Sequence, residues 1–337
     1  MKIAVIGLGC WGLVLTKLLT NNFDVVYGWS RKEDLSKELL ETGKTSVPFE
    51  VSLDEKVKIT SDMKEAIQNA DVILLVVSTS AIRPVCKQLK EAGIKDNQIL
   101  VNTSKGLELP SLKRMSEVIK DELPNQKFAV LSGPTLAKEV LMGYPTAASV
   151  ASDDIETAKA VQKMLTVKDK FRLYTNTDMI GVELGGSLKN VIAIAAGFLD
   201  EMNFGDNSKG ALLARGMAEI ARVAVQLGAN PSTMWGLSGM GDLIATCSSH
   251  LSRNNTVGRM LAQGKKIDDI LADLGSVAEG VKTSKAVCEL SEKLNIETPI
   301  SNAIYKAVYS KENSKEIFLN LMNRELKGEE EFIKKNS

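Results

Sequence analysis

The sequence has a single histidine, His250, and only four cysteines among its 337 residues. One histidine leaves a His-rich metal site without ligands and makes a histidine proton relay a poor first hypothesis, so we interpret His250 as a variable loop residue. Cys10, Cys86, Cys247 and Cys288 are widely spaced and form no CxxC pair. We therefore expect no metal, no disulfide and a reduced, cytoplasmic environment.

The chain also lacks a net charge and long uninterrupted apolar runs. Lys plus Arg total 42 and Asp plus Glu total 42, so no basic excess is present to attract nucleic acid. Runs such as residues 72–77 are far too short to span a bilayer, and the residues after Met1 show no signal-peptide layout. We expect no nucleic-acid partner and no membrane insertion. The length suggests two domains at ~150 residues each.

Short apolar runs alternate with amphipathic stretches in the first half of the chain. Runs continuous in Val, Ile, Leu and Ala are typical of strands buried on both faces of a parallel sheet, and the alternation predicts right-handed βαβ units. The predicted strands are Ile3–Ile6, Val25–Tyr27, Val72–Val77, Ile99–Asn102, Ala129–Ser132 and Ser149–Ala151. We predict an α/β Rossmann domain with a doubly wound, mostly parallel sheet over residues 1–178.

The second half is almost entirely helical in pattern. A long apolar stretch covers residues 180–202, and the helical spacing of residues 209–227 ends before Gly228, a suitable C-cap. We place a hinge at Tyr174–Asp178 and predict an all-α domain over residues 179–326, followed by a charged, solvated tail over residues 327–337. The apolar helical domain favours a homodimer.

A GxGxxG motif, Gly7-Leu8-Gly9-Cys10-Trp11-Gly12, directly follows the first predicted strand and opens a helix. This context is the one that a dinucleotide-binding fingerprint requires. Gly7 allows a tight turn, Gly9 lets the backbone approach a pyrophosphate at the helix N-terminus, and Gly12 lets helix and sheet pack closely. The alternative is a purely structural glycine turn.

The end of the second strand indicates which dinucleotide binds. NAD-type folds usually carry Asp or Glu there, but this strand runs into Ser30-Arg31-Lys32. A hydroxyl and two cations suit a 2′-phosphate, so we predict that NADPH is preferred and that NADH remains possible. Arg31 and Lys32 could instead simply begin a solvated helix.

Five further strings follow in order: Asn102–Glu108, Leu131–Val140, Gly181–Val191, Gly236–Leu243 and Leu251–Asn254. Together with the glycine turn, this series closely resembles the NAD(P)-dependent glycerol-3-phosphate dehydrogenases of the bacterial type, from Met1 to about Leu326. The resemblance implies reduction of dihydroxyacetone phosphate to sn-glycerol 3-phosphate, the precursor of phospholipids, with the helical domain binding the substrate.

Ketone reduction needs a hydride donor, an acid for the new alkoxide and a clamp for the substrate phosphate. No histidine lies inside these strings, so lysine is the natural acid. Lys189 lies on an apolar helix, where an ammonium is poorly solvated and gives up its proton more readily. A lysine that reaches water from a helix edge is the alternative. The resemblance makes Lys189 the catalytic proton donor.

Two more residues are candidates for the catalytic set. Lys105 follows a predicted strand, at the carboxyl end of the sheet, where ligands bind in doubly wound folds. The resemblance implies that Lys105 contacts both cofactor and substrate, whereas a surface lysine is the alternative. Asp242 lies in a glycine-rich segment and could orient Lys189 and stabilise its ammonium, or could serve as a helix N-cap.

Ser252-Arg253-Asn254 begins a predicted helix, whose N-terminus and arginine suit a phosphate, although a capped surface helix is the alternative. The resemblance places the substrate phosphate on this triplet, with Arg253 also touching the cofactor. Asn190 could hydrogen-bond the substrate or hold the nicotinamide side. Substrate contacts are further implied at Gly133 and Thr135. The remaining implied cofactor contacts are Cys10, Trp11, Ala137, Val277 and Glu279.

The sequence departs from the family pattern at two places. Cys10 stands where relatives often have Ser, and residues 47–51 lack the common aromatic-Leu-Pro-Gly string. Trp29 and Trp235 are predicted to be packing residues. Two other functions remain open: a 3-hydroxyacid dehydrogenase type of reductase, which would not need the arginine clamp, and an NADPH sensor without turnover.

Overall fold

The chain folds into two compact units. The first comprises Met1–Ser104 and Met115–Met179, and the second comprises Lys105–Arg114 and Ile180–Ser337. The computed structural model describes residues 1–45, 50–274, 278–310, 312–326 and 328–329, without the side chain of Glu33. The predicted charged tail over residues 327–337 lies almost entirely outside the described residues.

The first unit is built on a sheet whose described strands number eight, with a separate two-stranded ribbon. The strands in chain order are β1 (Lys2–Ile6), β2 (Val25–Trp29), β3 (Lys44–Thr45), β4 (Val51–Ser52), β5 (Val57–Thr60), β6 (Val72–Leu75), β7 (Ile99–Asn102), β8 (Phe128–Ser132), β9 (Thr146–Ala151) and β10 (Phe171–Asn176). The main sheet has the order β10-β9-β8-β7-β6-β1-β2-β5, and β3 pairs with β4. Within the described chain, only the β8–β9 pair of the main sheet is antiparallel.

This topology confirms the predicted Rossmann-type sheet. From β1 the chain moves outward through β2 to β5 and then returns to β6 on the other side of β1. The strand order therefore reverses between β1 and β6, at the place where doubly wound folds bind ligands. Apart from Lys2 at the start of β1, the central strands β1 and β6 consist of buried apolar residues, which explains their uninterrupted apolar pattern.

Helices connect the strands of the first unit and bury one apolar face each. They are α1 (Cys10–Leu19), α2 (Glu33–Thr42), α3 (Met63–Ile67), α4 (Thr79–Glu91), α5 (Met115–Glu122), α6 (Ala137–Leu141) and α7 (Ile155–Leu165). The side chains of Asp62 and Asp154 accept hydrogen bonds from backbone N–H groups at the starts of α3 and α7. These N-caps satisfy donors that a helix start otherwise leaves open.

Two strands of the main sheet were missing from the predicted set. Strand β5 contains Lys58, and β10 alternates buried Phe171 and Leu173 with exposed Arg172 and Tyr174. Both are edge strands, and their polar residues interrupt the continuous apolar runs by which the buried strands are predicted. The predicted hinge at Tyr174–Asp178 is wrong over Tyr174–Asn176, since these residues pair with β9.

The second unit is helical, as predicted. Its elements are α8 (Met179–Glu201), α9 (Gly205–Gln226), a 3₁₀ turn (Pro231–Trp235), a π-helical turn (Leu237–Gly241), α10 (Asp242–Ser248), α11 (Arg253–Ala262), α12 (Ile267–Leu274), α13 (Glu279–Leu294), α14 (Pro299–Tyr309) and α15 (Ser314–Met322). Helix α8 is long and apolar enough to cross a membrane by composition, but 94% of its most apolar window is buried inside the protein. It is therefore the core helix around which this unit packs.

Glycines bring helix α8 into backbone contact with its neighbour α11. A Cβ atom on Gly258 would lie 1.9 Å from the Ile194 carbonyl oxygen, and one on Gly197 would lie 1.9 Å from the Asn255 carbonyl oxygen. No residue larger than glycine fits at either position without moving a helix, because real Cβ atoms do not approach backbone oxygen so closely. The N-terminus of α11 is thereby held against the face of α8.

Candidate active site

The glycine turn between β1 and α1 has the three properties that the motif predicts. Gly7 has φ +108°, and a Cβ there would lie 2.5 Å from the Val76 carbonyl oxygen. A Cβ on Gly12 would lie 1.8 Å from the Gly7 carbonyl oxygen. By contrast, no described atom lies within 4 Å of a Cβ built on Gly9. Gly7 and Gly12 are thus required by the fold, and Gly9 leaves open space beside the start of the helix.

The start of α1 fits the pyrophosphate of a dinucleotide. Gly9 occupies the N-cap without a side chain that could cap the helix, and the first turn contains no acidic residue. The first N–H groups and the positive end of the helix dipole can therefore serve an external anion. Cys10 begins this helix and is half-buried. The Trp11 ring packs edge-to-face on Phe171, with ring centroids 6.3 Å apart.

The end of β2 carries hydroxyl and cationic groups, as the sequence predicts. The buried Ser30 hydroxyl accepts a hydrogen bond from the Lys32 backbone N–H at 3.1 Å. Arg31 and Lys32 are exposed at the start of α2. This position, next to the first strand of the sheet, is where the adenosine ribose of a dinucleotide lies in doubly wound folds. The residues present thus fit a dinucleotide, and a ribose 2′-phosphate in particular.

The turn after β8 forms a second polar loop at the carboxyl end of the sheet. Gly133 has φ +152°, and a Cβ there would lie 2.9 Å from the Cα of Ala148. The Thr135 hydroxyl donates to the Gly133 carbonyl oxygen at 3.2 Å. Ser132 is buried, and its hydroxyl has no hydrogen-bond partner among the described residues. Ala137 begins the short helix α6 a little further on.

A cluster of two lysines, one aspartate and one threonine lies in the second unit, with Lys189, Asp242 and Thr246 buried and Lys105 half-buried. Lys189 Nζ donates to Asp242 Oδ1 at 2.8 Å and to Thr246 Oγ1 at 2.6 Å. Lys105 Nζ donates to the other carboxylate oxygen, Asp242 Oδ2, at 2.7 Å. The Thr246 hydroxyl in turn donates to Asp242 Oδ1 at 3.2 Å. A single carboxylate therefore holds two ammonium groups, and the cluster carries a net positive charge.

The electrostatics of this cluster favour proton transfer and anion binding. Burial lowers the pKa of Lys105 to about 8, and the positive charge of Lys189 acts in the same direction, while Asp242 opposes both. A lysine with a pKa near neutrality exchanges its proton more easily than an ordinary one. Because one carboxylate balances two cations, an incoming anion or a developing alkoxide would be stabilised here.

Tight turns of the helical unit determine where Asp242 lies. A Cβ on Gly185 of α8 would lie 2.8 Å from the Ser238 carbonyl oxygen, and one on Gly239 would lie 2.1 Å from the Met234 carbonyl oxygen. The π-helical turn therefore packs closely on α8 and leads directly into α10. Asp242 is the first residue of α10 and not its N-cap, which is Gly241. π-helical turns are frequent at functional sites, and this one positions the carboxylate of the cluster.

The predicted phosphate triplet lies at the start of α11. Ser252 is its N-cap, with the hydroxyl accepting from the Asn255 backbone N–H at 3.3 Å. Arg253 is exposed and forms no ion pair with the residues that the structure describes. Asn254 is buried and donates to the Asn190 side-chain oxygen at 3.0 Å, while its own side-chain oxygen accepts from the Gly280 N–H at 3.1 Å. Asn190 and Asn254 thus tie together the helices α8, α11 and α13.

Other residues from the sequence prediction have different outcomes. Glu279 is the first residue of α13 and is half-buried, whereas Val277 lies outside the described residues. Trp29 is confirmed as a packing residue, since it is buried and its indole donates to the Ser61 carbonyl oxygen. The same prediction is wrong for Trp235, which is 62% exposed. His250 is an exposed loop residue whose ring contacts Arg259.

Sequence reasoning missed two features of the site. Thr246 lies four residues after Asp242 on α10, and this helical spacing could have identified it as a neighbour of the carboxylate. The Arg114–Glu183 ion pair, at 2.9 Å, left no local signal because its partners are 69 residues apart.

A GxGxxG turn on a doubly wound sheet, followed by a helical unit with a buried lysine–carboxylate cluster, defines a nicotinamide-dependent oxidoreductase. Family models for the N-terminus and the C-terminus of NAD-dependent glycerol-3-phosphate dehydrogenase match residues 2–158 and 178–319. The chain belongs to this family, which confirms the resemblance and favours it over the two alternative functions.

Individual relatives cover nearly the whole chain. Glycerol-3-phosphate dehydrogenase (NAD(P)+) of Thermoanaerobacter sp. (strain X514) is 43% identical over 329 residues, covering 98% of this chain and 99% of the relative. The protein of the same name from Pediococcus pentosaceus is 44% identical over 335 residues, covering 97% and 98%. The crystal structure of glycerol-3-phosphate dehydrogenase from Coxiella burnetii matches with a TM-score of 0.91 at 32% identity, covering 96% of this chain and 99% of that chain.

Proposed function

We propose that this protein catalyses the reversible, NAD(P)H-dependent reduction of dihydroxyacetone phosphate to sn-glycerol 3-phosphate, which supplies glycerophospholipid synthesis. The observation that carries the proposal is the pair of ammonium groups on Asp242, from Lys189 and Lys105. A phosphorylated ketone brings both an anion and a carbonyl that must be protonated on reduction, and this cluster suits both. Membership of the dehydrogenase family supports the same substrate.

Lys189 is the proposed proton donor. When bound, the nicotinamide cofactor supplies the hydride that goes to the carbonyl carbon of the substrate. The Lys189 ammonium gives its proton to the carbonyl oxygen as negative charge develops there, so one hydride and one proton together complete the alcohol. Asp242 and Thr246 orient that ammonium, and Lys105 stabilises the alkoxide and the substrate phosphate electrostatically. Solvent reprotonates Lys189 after product release.

The substrate phosphate is assigned to the start of α11. Ser252 and Arg253 offer a helix N-terminus and an exposed guanidinium, which recognise phosphate well. Asn190 and Asn254 hold this helix start in register with the helix that carries Lys189. Gly133 and Thr135 are proposed to add backbone and hydroxyl contacts to the substrate.

The cofactor is assigned mainly to the first unit, and the substrate mainly to the second. Gly7, Gly9 and Gly12 support binding of the pyrophosphate, since they form a turn with open space at the helix start. Further proposed contacts are Cys10, Trp11, Arg31, Lys32, Lys105, Ala137, Arg253, Val277 and Glu279. Because Arg31 and Lys32 take the place of a carboxylate, we propose that NADPH is preferred over NADH. Replacing Arg31→Ala should lower the NADPH/NADH ratio of kcat/KM, and an unchanged ratio would contradict the preference.

Replacement of Lys189→Met tests the catalytic assignment. We expect kcat to fall by about 10²–10⁴, because the proton donor is lost while the helix keeps an unbranched side chain. The assay follows nicotinamide absorbance with and without dihydroxyacetone phosphate, and NADPH binding is measured separately by fluorescence titration. Binding should be unchanged.

The matched control for this test is Lys209→Met. Lys209 forms an ion pair with Asp200 at 2.7 Å in the same unit, outside the cluster. We expect its kcat to stay near that of the native protein. A Lys189→Met variant that turns over at the rate of this control would eliminate Lys189 as the proton donor.

We also propose that the protein acts as a homodimer in the cytoplasm. The exposed indole of Trp235 supports the dimer, because it places a large apolar side chain on the surface of the helical unit, where a second copy would cover it. Sedimentation equilibrium would measure the mass directly, and a monomer across the micromolar range would contradict the dimer.

A further inference from the structure

The second unit includes a short loop that comes from the middle of the first half of the chain. The 105–114 loop (Lys105–Arg114) begins shortly after β7 and ends at the residue before α5. It is a hairpin: Leu107 and Arg114 form an antiparallel bridge, and the Glu108 N–H donates to the Lys113 carbonyl oxygen at 2.9 Å. Lys105, which reaches Asp242, therefore lies two residues from the neck of this hairpin.

The helical unit holds the neck of the hairpin at three points, two of which are on helix α8. Leu107 is buried in the core of the helical unit. The Ser187 hydroxyl donates to the Gly106 carbonyl oxygen at 3.5 Å. Arg114 Nη1 lies 2.9 Å from Glu183 Oε2, with only 16% of the arginine side chain and 5% of the glutamate side chain exposed. Of the two polar contacts, the hydrogen bond is long and the ion pair is short, so the ion pair does most to fix where the hairpin neck lies on α8.

The Arg114–Glu183 ion pair is a poor source of folding stability by itself. Burying two charges requires desolvating both, and buried ion pairs can often be replaced by apolar residues without loss of stability. Such a pair fixes the relative position of its two residues better than an apolar contact does, because a guanidinium and a carboxylate bind each other in only a few relative orientations. At this position the fixed geometry bears directly on Lys105, on the opposite strand of the hairpin.

We infer that Arg114 and Glu183 are positioning residues: their ion pair fixes the 105–114 loop on α8 and thereby holds Lys105 Nζ at Asp242, beside Lys189. The kinetic part of this inference rests on the function proposed above. The structural part does not, because the position of Lys105 can be measured without turnover.

The first readout is the pH dependence of acylation of Lys105 by an amine-reactive ester, followed by mass spectrometry. Lys105 is faced by two charged groups of the cluster, Asp242 and Lys189, and in the native protein its midpoint should lie at about 8. In an Arg114→Met variant the ion pair no longer fixes the hairpin neck, so Lys105 should reach solvent and the midpoint should rise by about two pH units toward that of an ordinary lysine. Lys120, whose side chain is 59% exposed, is the internal reference.

Two further variants keep the test decisive if Arg114→Met folds poorly. The double variant Arg114→Met/Glu183→Met removes both charges of the pair together, so it should fold better than the single variant, and it should show the same raised midpoint. The charge swap Arg114→Glu/Glu183→Arg should restore a midpoint near that of the native protein. The control Lys209→Met breaks a part-buried ion pair elsewhere in the unit and should leave the midpoint unchanged.

The second readout is turnover with dihydroxyacetone phosphate. Arg114→Met should lower kcat/KM by about tenfold or more, but should have no further effect in a Lys105→Met background, because it acts through Lys105. A Lys105 midpoint that stays at about 8 in both Arg114→Met and the double variant would overturn the inference. If the native protein does not reduce dihydroxyacetone phosphate, the proposed function fails and the acylation result still decides the positioning role.

Discussion

The partly desolvated ammonium of Lys105 should make the stability of this protein depend on pH in alkaline solution. Burial lowers the pKa of Lys105 from an ordinary value of 10.5 to about 8 in the folded chain. Between these two values the unfolded chain binds the proton more fully than the folded chain does. The free energy of unfolding contributed by Lys105 therefore rises with pH through this range.

The magnitude follows from the two pKa values. They differ by about 2.5, and one pKa unit corresponds to about 1.4 kcal/mol, so the whole effect is about 3 kcal/mol. Integration of the proton-binding difference puts about 2 kcal/mol of this between about pH 7.5 and about pH 9.5. The other titrating groups add their own pH dependence to the free energy of unfolding. A variant that lacks only the Lys105 amine has the same contribution from those groups, so the difference between the two proteins isolates Lys105.

Replacing Lys105→Met removes the titrating group and keeps an unbranched side chain. Urea denaturation of both proteins at the two pH values gives the four free energies of unfolding that are needed. We expect the native protein to gain about 2 kcal/mol relative to the variant on going from the lower to the higher pH. If the two proteins respond equally to pH, the folded-state pKa of Lys105 is ordinary and the reasoning from burial is refuted.

Two further predictions concern residues with contrasting surroundings. Gly9→Ala should weaken NADPH binding without lowering Tm, because its Cβ meets open space. Gly7→Ala should lower the free energy of unfolding by about 1–3 kcal/mol, because it combines a positive φ with a backbone clash. Calorimetry and NADPH titration distinguish the two variants, and equal losses of Tm would contradict the assignment. Glu219→Ala should lower the free energy of unfolding by about 3 kcal/mol, because the buried carboxylate accepts from the backbone N–H groups of Ile300 and Ser301 at the start of α14. Glu219→Gln, which keeps one acceptor, should lose less in urea denaturation, and equal losses would show that the acceptor is unimportant.

The helices and strands that could be predicted from the sequence are those with a clear local signal, such as a capping residue or a regular spacing of apolar residues. Helix α11 begins at the triplet where the sequence predicts a helix start, because Ser252 is a strong N-cap. Strand β10 was missed because its burial alternates and its polar positions resemble a loop. Short helices such as α10 were not predicted for a different reason: seven residues are too few to show a helical spacing of apolar residues.

The candidate site was only partly predictable for a physical reason. Lys189, Asp242 and Lys105 were each identified, but their contacts join residues 53 and 137 positions apart. Such contacts depend on how α8, the π-helical turn and the 105–114 loop pack, and nothing in the local pattern specifies that packing. The same holds for Arg114 and Glu183, whose pairing is visible only once the loop lies on α8.

The helical unit is assembled from two separate stretches of the chain, and this has a consequence for protein engineering. A gene fragment beginning at Ile180 would encode α8 without Lys105, the partner of Asp242, and without Leu107, which fills part of its core. Chimeras of two related enzymes that are joined at the 179/180 boundary would combine the loop of one parent with the α8 of the other. Such chimeras need additional crossovers on both sides of residues 105–114, so that the loop and the helices that receive it are inherited together.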